Sequence, residues 1–381
     1  MKICIVSSTR ADFGLLKNLI LKIKKNNVNY KLIVIGSHLS KYYGSTVSEI
    51  KRSNIKISKK IEYKIDTSSE IGISSIISQC IKKVTKVFLN LNPDLVVLLG
   101  DRYEILSCAI SAHVCRLPIA HIHGGELTQG LIDDAFRHSI TKLSQLHFVA
   151  NKAYRKRVIQ LGENPKNVFN VGGLGVESIK NTKFLNKQYL EKKLKNQFKK
   201  KNIIVNFHPE TLSKGSAKKQ INEILKALKT LKETCIIFTM PGAEVENIII
   251  INRIKNFVKE NKNSYFFKSL GQKNYFSVLN IIDLMLGNSS SGLLEMPTFK
   301  KATVNLGERQ SGRIKANSVI STKIQSSYII KAINKVYTKN FQKKIKKSAN
   351  PYGAGETSKK IFEVLRKINF KNLINKEFYD L

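Results

Sequence analysis

The chain has 381 residues, of which 42% are hydrophobic and 8% aromatic, so it can build the cores of two ordinary domains and is not a disordered chain. Its 66 Lys and Arg against 27 Asp and Glu give a formal net charge of +39, a balance that raises nucleic acid as a partner. However, the lysines are scattered among Asn and Ile along the whole sequence, without a nucleic-acid-binding signature. We therefore predict no nucleic-acid partner.

Membrane insertion and export are also disfavoured. No apolar run approaches the roughly 20 residues of a membrane-spanning helix, and the sequence enters a strand pattern at once, without a signal-peptide layout. The five cysteines are widely spaced and form no CxxC pair, which is typical of reduced thiols. We expect a cytoplasmic protein with no membrane partner.

Short apolar segments alternate with longer helix-compatible segments in the first half, the pattern of a parallel α/β sheet. Strands are predicted at 3–7, 31–36, 94–100, 118–123, 146–150 and 168–171. Helices are predicted at 14–25, 74–91, 103–115 and 134–143. A Lys- and Asn-rich stretch at 180–201 then indicates a domain junction followed by a surface helix.

The second half repeats the alternation. Strands are predicted at 203–207, 235–240, 265–268, 284–287 and 302–306. Helices are predicted at 218–231, 246–260, 291–297 and 358–368. We predict two Rossmann-like, doubly wound parallel-sheet domains at 1–178 and 179–355, followed by a closing segment at 356–381, with a ligand cleft lined by loops at the carboxyl ends of the strands.

Polar residues follow the predicted strands of the first half. Arg10 lies at a strand-to-helix turn, where free helix amides and its own charge suit a phosphate group; a helix cap with a surface arginine is the alternative. This turn lacks the GxGxxG fingerprint, which disfavours a nicotinamide cofactor. Asp101, Arg102 and Glu104 follow the strand at 94–100, where a ligand can reach them; a helix-capping Asp101 paired with Arg102 is the alternative.

Two histidines close the strand at 118–123. Strand alternation places His121 and His123 on one face, and nearby Glu126 and Asp133 suit acid–base chemistry or substrate contact. A core or capping role is the alternative, and a metal is disfavoured because no HxxxH helix or cysteine cluster accompanies them. Asp133 and Arg137 are four residues apart, so on a helix they share a face and turn toward the same pocket.

Residues that suit a phosphorylated ligand follow the strands of the second half. They are His208, Ser289, Ser290, Glu295, Arg309 and Arg313. The imidazole of His208 suits proton transfer or a diphosphate contact. The serines lie in a Gly/Ser turn at a helix start, where an anion binds, and Glu295 can accept from ribose hydroxyls. Each has an exposed, inert alternative, but their recurrence at strand ends predicts a binding site.

These segments together resemble one family. They are Ser-Ser-Thr-Arg-Ala-Asp-Phe-Gly, Gly-Asp-Arg-Tyr-Glu, His-Ile-His-Gly-Gly-Glu, Ile-Asp-Asp-Ala-Phe-Arg-His, Asn-Phe-His-Pro-Glu-Thr, Gly-Asn-Ser-Ser-Ser-Gly and Arg-Gln-Ser-Gly-Arg. In this order they resemble the UDP-N-acetylglucosamine 2-epimerases, and their spacing is similar to that of the hydrolysing branch, which feeds sialic acid and legionaminic acid synthesis. The resemblance covers about residues 1–355.

The resemblance implies a GT-B arrangement, with UDP held mainly by the second domain and the last helix crossing back to the first. It implies elimination of UDP with loss of the C2 proton, then addition of water to the resulting 2-acetamidoglucal with C2 inverted. The product is an N-acetylmannosamine-type sugar, and we expect neither a cofactor nor a metal. A homodimer or homotetramer is also implied.

Residue roles follow from the same resemblance. Asp101, Glu126 and Asp133 are implied in the proton transfers, with Arg137 orienting them. The diphosphate is assigned to Arg10, His208, Ser289, Ser290 and Arg309, the ribose to Glu295, and Arg102 and Arg313 are further substrate-binding candidates.

The sequence departs from the family pattern at two points. His123 stands where some relatives have Glu, so either the base lies at a neighbour such as Glu126 or His123 shares the work. Residues 241–244 read Pro-Gly-Ala-Glu instead of Pro-Asn-Ala-Asp, so a different nucleotide base is conceivable with Gly242 in place of the expected Asn.

Several functions remain open at this point. UDP-N-acetylglucosamine is the preferred substrate, and UDP-2,4-diacetamido-2,4,6-trideoxyglucose of legionaminic acid synthesis is the alternative. A GT-B glycosyltransferase is the next alternative, although acidic groups around C2 would have no task in it. A basic nucleic-acid-binding protein is the remaining one, and the acidic strand ends oppose it.

Overall fold

The computed structural model describes residues 1–40, 46–128, 131–209, 215–242, 246–370 and 373–381. These residues form two compact units. The first comprises Met1–Glu126, Asp133–Lys180 and Tyr352–Leu381, and the second comprises Leu127–Ile132 and Asn181–Pro351. Glu210, Ala243 and Glu244, which belong to two of the sequence motifs, lie outside the described residues.

A parallel sheet forms the centre of the first unit. Its strands are β1 (Lys2–Ser7), β2 (Asn29–Val34), β3 (Ile57–Lys60), β4 (Leu95–Leu99), β5 (Ile119–Ile122), β6 (Leu146–Val149) and β7 (Val168–Asn170). The described strands run in the order β3-β2-β1-β4-β5-β6-β7, and all their pairs are parallel. Every residue of β4 is buried, because helices cover both faces of a parallel sheet.

The helices that follow these strands are amphipathic. They are α1 (Arg10–Lys25), α2 (Val47–Arg52), α3 (Glu70–Leu91), α4 (Tyr103–Val114), α5 (Asp133–Leu143), α6 (Lys152–Gln160) and α7 (Leu174–Lys180). The helix α1 buries Leu16, Leu19 and Ile20 in the core and leaves Lys24 and Lys25 exposed.

The second unit repeats the design. Its strands are β8 (Lys201–Asn206), β9 (Thr234–Thr239), β10 (Ser264–Phe267), β11 (Leu284–Gly287), β12 (Ala302–Leu306) and β13 (Val319–Thr322). The described strands lie in the parallel order β10-β9-β8-β11-β12-β13. Its helices are α8 (Lys187–Leu194), α9 (Ala217–Lys229), α10 (Asn247–Glu260), α11 (Gln272–Ile281), α12 (Ser291–Leu294), α13 (Ser326–Val336) and α14 (Lys339–Lys347).

The last helix, α15 (Thr357–Leu365), belongs to the first unit. It buries Ile361, Phe362 and Leu365 in the core that contains α1 and the β1 side chains Ile3 and Ile5. None of the helices in the described part of the chain is long and apolar enough to cross a membrane.

The predicted fold class, two doubly wound parallel α/β sheets, is confirmed. The sequence missed the edge strands β3 and β13, which are short and only partly buried; Lys59 and Lys60 of β3 are exposed, as edge strands favour. It also missed helices with narrow apolar stripes, such as α14, which buries only Phe341 and Ile345.

The strand order predicts where a ligand binds each unit. It reverses between β1 and β4 in the first sheet and between β8 and β11 in the second. Ligands of doubly wound sheets bind outside the carboxyl ends of strands at such switch points. The segments with Arg10, Asp101, His208 and Ser289 follow these four strands.

Candidate active site

Arg137 is the centre of the polar group in the first unit. It lies on α5, and its side chain is only 1% exposed. Its Nη1 donates to the backbone carbonyl of Glu126 at 3.0 Å and to Asp134 Oδ1 at 2.9 Å, and its Nη2 donates to Asp101 Oδ2. A buried guanidinium needs such partners, so it fixes the Asp101 carboxylate after β4 and the turn that ends at Glu126.

Arg102 pairs with Glu104, the third polar residue of the segment that follows β4. Its Nε and Nη2 donate to the two oxygens of Glu104, at 3.0 and 3.3 Å, and Glu104 is 3% exposed. The alternative of a helix-capping Asp101 paired with Arg102 is therefore wrong: Asp101 pairs with Arg137, and α4 has no side-chain cap.

Asp133 begins α5, where the helix dipole favours a carboxylate. It is half-buried, and its charge acts on Arg102. Burial lowers the pKa of Arg102, but the charges of Glu104, Tyr103 and Asp133 outweigh it and raise that pKa above its usual range.

His123 lies beyond the end of β5, so strand alternation does not relate it to His121 as the sequence predicted. Its backbone is left-handed, with φ of 69°, an uncommon conformation for a residue with a side chain. Its Nδ1 lies 3.1 Å from Oε1 of Glu126, which is 1% exposed. Its Nε2 is buried and makes no hydrogen bond with the described part of the protein, so it is available to bind a ligand.

His121 has a positioning task instead. Its Nε2 lies 2.8 Å from the carbonyl of Gly100 and its Nδ1 3.2 Å from Thr141 Oγ1. Burial lowers the pKa of His121 to about 3, so the ring is neutral at physiological pH. The ring links β5 and α5 to the residue before Asp101, and its depressed pKa opposes a role as proton donor.

Arg10 is the first residue of α1 and is half-buried. The turn before it is ordered by a capping box, in which Thr9 accepts from the amide of Asp12 and Asp12 accepts from the amides of Thr9 and Ser8. Ser8 also donates its hydroxyl to Asp12 at 2.6 Å. The structure thus gives Arg10 a rigid base at the end of β1.

Asn288, which is fully buried, is the centre of the polar group in the second unit. Its Oδ1 accepts from the backbone amide of His208 at 2.8 Å and its Nδ2 donates to the carbonyl of His208 at 2.9 Å. Its backbone carbonyl accepts from Arg309 at 3.3 Å and from Gln310 at 2.8 Å. Gln310 in turn accepts a hydrogen bond from Arg313 at 2.8 Å. Asn288 thus connects His208 directly to Arg309, and to Arg313 through Gln310.

The ring of His208 is oriented by the backbone. Its Nδ1 accepts a hydrogen bond from the amide of Gly242 at 2.9 Å, so the neutral ring carries its proton on Nε2. Gly242 thus has a structural task in this loop, through its backbone.

Ser289 and Ser290 lie between β11 and α12, and Glu295 follows α12. Ser289 Oγ accepts from the amide of Ser291 at 3.4 Å, and Ser291 donates its hydroxyl to Glu295. This turn needs a glycine before it, because Gly287 has φ of 141° and a Cβ there would lie 2.0 Å from the carbonyl of Asn206.

The structure therefore brings the predicted residues into two groups. Asp101, Glu126, His123 and Arg137 share the first, next to Asp133 and Arg102. The second group contains His208, Ser289, Ser290, Glu295, Arg309 and Arg313. Among the residues that the structure describes, no group of His, Cys, Asp and Glu could hold a metal ion.

Sequence reasoning missed two residues that orient the second group, Asn288 and Gln310. Both belong to the recognised motifs, and that position was the only signal for them.

Acid–base groups at one doubly wound sheet and a basic, hydroxyl-rich group at a second are typical of an enzyme that transfers protons on a phosphorylated substrate. The comparisons with known proteins agree with this class. The family described as UDP-N-acetylglucosamine 2-epimerase matches residues 21–366.

Two relatives match along the whole chain. A GDP/UDP-N,N'-diacetylbacillosamine 2-epimerase (hydrolyzing) of Campylobacter jejuni is 40% identical, over 100% of this chain and 99% of the relative. The polysialic acid biosynthesis protein P7 of Escherichia coli is 38% identical, over 100% of this chain and 97% of the relative.

A solved structure shares the fold. The UDP-GlcNAc 2-epimerase of Neisseria meningitidis, bound to UDP-GlcNAc, aligns with a TM-score of 0.81 and 20% identity, over 97% of this chain and 100% of that one. The chain thus belongs to the hydrolysing UDP-N-acetylglucosamine 2-epimerase family and is a hydrolysing nucleotide-sugar 2-epimerase.

Proposed function

We propose that the chain converts UDP-N-acetylglucosamine and water to N-acetylmannosamine and UDP. In the first step a base removes the C2 proton, the C–H electron pair forms the C1=C2 bond, and the C1–O bond to UDP breaks. In the second step water adds its oxygen to C1 of the 2-acetamidoglucal, and C2 is protonated on the opposite face. The observation that carries this proposal is the buried Arg137, which binds the Asp101 carboxylate and the backbone carbonyl of Glu126 and so holds these two residues in one polar group.

Proton transfer needs groups held within reach of C2 and C1. Asp101 is held by Arg137, and Glu126 is buried beside His123. We assign the transfers to Asp101, Glu126 and Asp133, with Arg137 as the orienting cation. His123 Nε2, buried and without a hydrogen-bond partner among the described residues, supports a share of this work for His123.

Departure of UDP needs donors around the diphosphate. The tautomer of His208 supports this role, because the neutral ring offers an Nε2–H donor. Arg309 and Arg313 supply fixed charge beside it through Asn288 and Gln310. Ser289, Ser290 and Arg10 are assigned to the phosphates as well, Glu295 to the ribose and Arg102 to the substrate.

A second substrate is favoured by one observation. The relative of 40% identity is named for N,N'-diacetylbacillosamine, the 2,4-diacetamido-2,4,6-trideoxy sugar, on GDP or UDP. The same two steps apply to it, since it carries the same acetamido group at C2. Gly242 in place of Asn is compatible with either nucleotide base.

The enzyme is proposed to act in the cytoplasm as a homodimer or homotetramer. The five cysteines are free, which fits a reducing compartment.

Proton NMR of the purified protein in D2O with UDP-N-acetylglucosamine tests the reaction. Free UDP with N-acetylmannosamine deuterated at C2 is expected, since the C2 proton comes from solvent. UDP-N-acetylmannosamine without free UDP would contradict hydrolysis. Turnover of only UDP- or GDP-N,N'-diacetylbacillosamine in parallel reactions would replace the first substrate by the second.

A further inference from the structure

A continuous chain of hydrogen bonds joins the second sheet to Glu295. Thr239, at the end of β9, donates its hydroxyl to Asn206 Oδ1 at 2.6 Å. Asn206, at the end of β8 and 4% exposed, donates from Nδ2 to the hydroxyl of Tyr275 at 2.7 Å. The Tyr275 hydroxyl lies 2.8 Å from Ser291 Oγ, and Ser291 donates to Glu295 Oε2.

The direction of every proton in this chain is fixed by its two ends. An amide nitrogen only donates, so the oxygen of Tyr275 accepts from Asn206 and its single proton is directed to Ser291. An ionised carboxylate only accepts, so the proton of Ser291 is directed to Glu295. Hydrogen bonds aligned in one direction polarise one another and hold the terminal group more firmly than separate bonds.

The chain also has a rigid origin. Gly287 of β11 crosses so close to Asn206 that a Cβ at this position would lie 2.0 Å from the Asn206 carbonyl. The backbone of Asn206 is therefore fixed by the neighbouring strand, and its side-chain amide by Thr239 and Tyr275. Tyr275 in turn connects this amide to the α12 segment.

We propose that Tyr275 is a positioning residue for the nucleotide, which acts through Ser291 to hold the Glu295 carboxylate toward the two ribose hydroxyls. This inference rests on the proposed function, which assigns the ribose to Glu295. The role belongs to the Tyr275 hydroxyl and not to its ring, because only the hydroxyl connects Asn206 with Ser291.

Removal of the hydroxyl isolates the effect. Tyr275→Phe keeps the ring but interrupts the chain, so Glu295 loses its orientation. One hydrogen bond in a charge-terminated chain corresponds to about a tenfold change in dissociation constant. Tyr275→Phe is therefore expected to weaken UDP binding about tenfold.

The experiment measures Kd by calorimetry for UDP and for 2',3'-dideoxy-UDP, which lacks both ribose hydroxyls. The proteins are wild type, Tyr275→Phe, Glu295→Gln and the double variant. Tyr265→Phe is the matched control, because the Tyr265 hydroxyl lies in the same unit but accepts a hydrogen bond from the backbone amide of Gln197, which is not part of the chain of hydrogen bonds that ends at Glu295.

Tyr275→Phe and Glu295→Gln are each expected to weaken UDP binding about tenfold. The double variant is expected to bind UDP no more weakly than Glu295→Gln does. Neither single variant is expected to change the Kd of the dideoxy ligand. Equal losses for both ligands in Tyr275→Phe would overturn the inference, since a general structural effect does not depend on the ribose. Unchanged UDP affinity in Tyr275→Phe alone would overturn it as well. Unchanged UDP affinity in Glu295→Gln would instead refute the assignment of Glu295 to the ribose, and this inference with it. The proposed reaction is tested separately by the NMR assay.

Discussion

Acidification is expected to destabilise the first unit through two buried histidines. His38 lies between Ser7 Oγ, 2.9 Å from its Nε2, and Thr46 Oγ1, 2.7 Å from its Nδ1. Burial lowers the pKa of His38 to about 4 and that of His121 to about 3, from 6.5. Below pH 6.5 the unfolded chain therefore binds a proton at each site that the folded protein does not bind, so stability falls as the pH falls.

The loss of stability follows from the difference between the folded and unfolded pKa of each histidine. Each pH unit between the folded and unfolded pKa is worth about 1.4 kcal/mol per histidine. From pH 7 to pH 5 each histidine therefore removes about 2 kcal/mol, and the pair removes about 4 kcal/mol of the free energy of unfolding. That is a large part of the roughly 5–15 kcal/mol of a typical domain.

Urea denaturation at pH 7 and pH 5 measures this loss, with tyrosine fluorescence as the signal because the chain has no tryptophan. His38→Gln and His121→Gln are each expected to be less stable at pH 7 but to lose about 2 kcal/mol less than wild type on acidification. His113→Gln is the control, because His113 is exposed on α4. A pH dependence in either buried variant equal to that of wild type would refute the reasoning.

Three further predictions concern the two polar groups. Asp133→Asn is expected to abolish turnover in the NMR assay while UDP affinity by calorimetry stays within about twofold, because this carboxylate is assigned to chemistry; near-normal turnover would remove Asp133 from the catalytic set. His208→Ala is expected to weaken UDP about tenfold and to lower kcat; an unchanged affinity would restrict His208 to proton transfer. Gly287→Ala, whose Cβ would lie 2.0 Å from the Asn206 carbonyl, is expected to destabilise the second unit by about 3 kcal/mol or more; a wild-type melting temperature would contradict the close approach.

The sheets were predictable because their strands are buried on both faces. The run Leu95–Leu99 is uniformly apolar, and such a run bounded by polar turns indicates a central parallel strand. The edge strand Ile57–Lys60 carries a different signal, since two of its four residues are exposed lysines. The hydrophobic pattern therefore predicts the central strands of such a sheet but not its edge strands.

The site residues were predictable as positions but not as pairs. Asp101 follows a predicted strand and Arg137 lies in a predicted helix, yet their contact spans 36 residues of sequence, and no spacing rule relates them. Adjacency in sequence also suggested a wrong pair, since Arg102 binds Glu104 and not the adjacent Asp101. Pairing depends on the packing of α4 and α5 on the sheet, which is a tertiary property.

The side chains that organise the two groups are polar and buried, and the hydrophobic pattern of a sequence does not indicate the burial of a polar side chain. Asn288 and Gln310 are fully buried and Arg137 is 1% exposed, although such side chains usually lie at the surface. Each is stable there because carbonyls, amides or carboxylates satisfy it from several directions. Removing one partner leaves a buried polar group unpaired, which costs more than the bond itself contributes. Arg137 and Asn288 therefore link the geometry of each polar group to the stability of the unit that contains it.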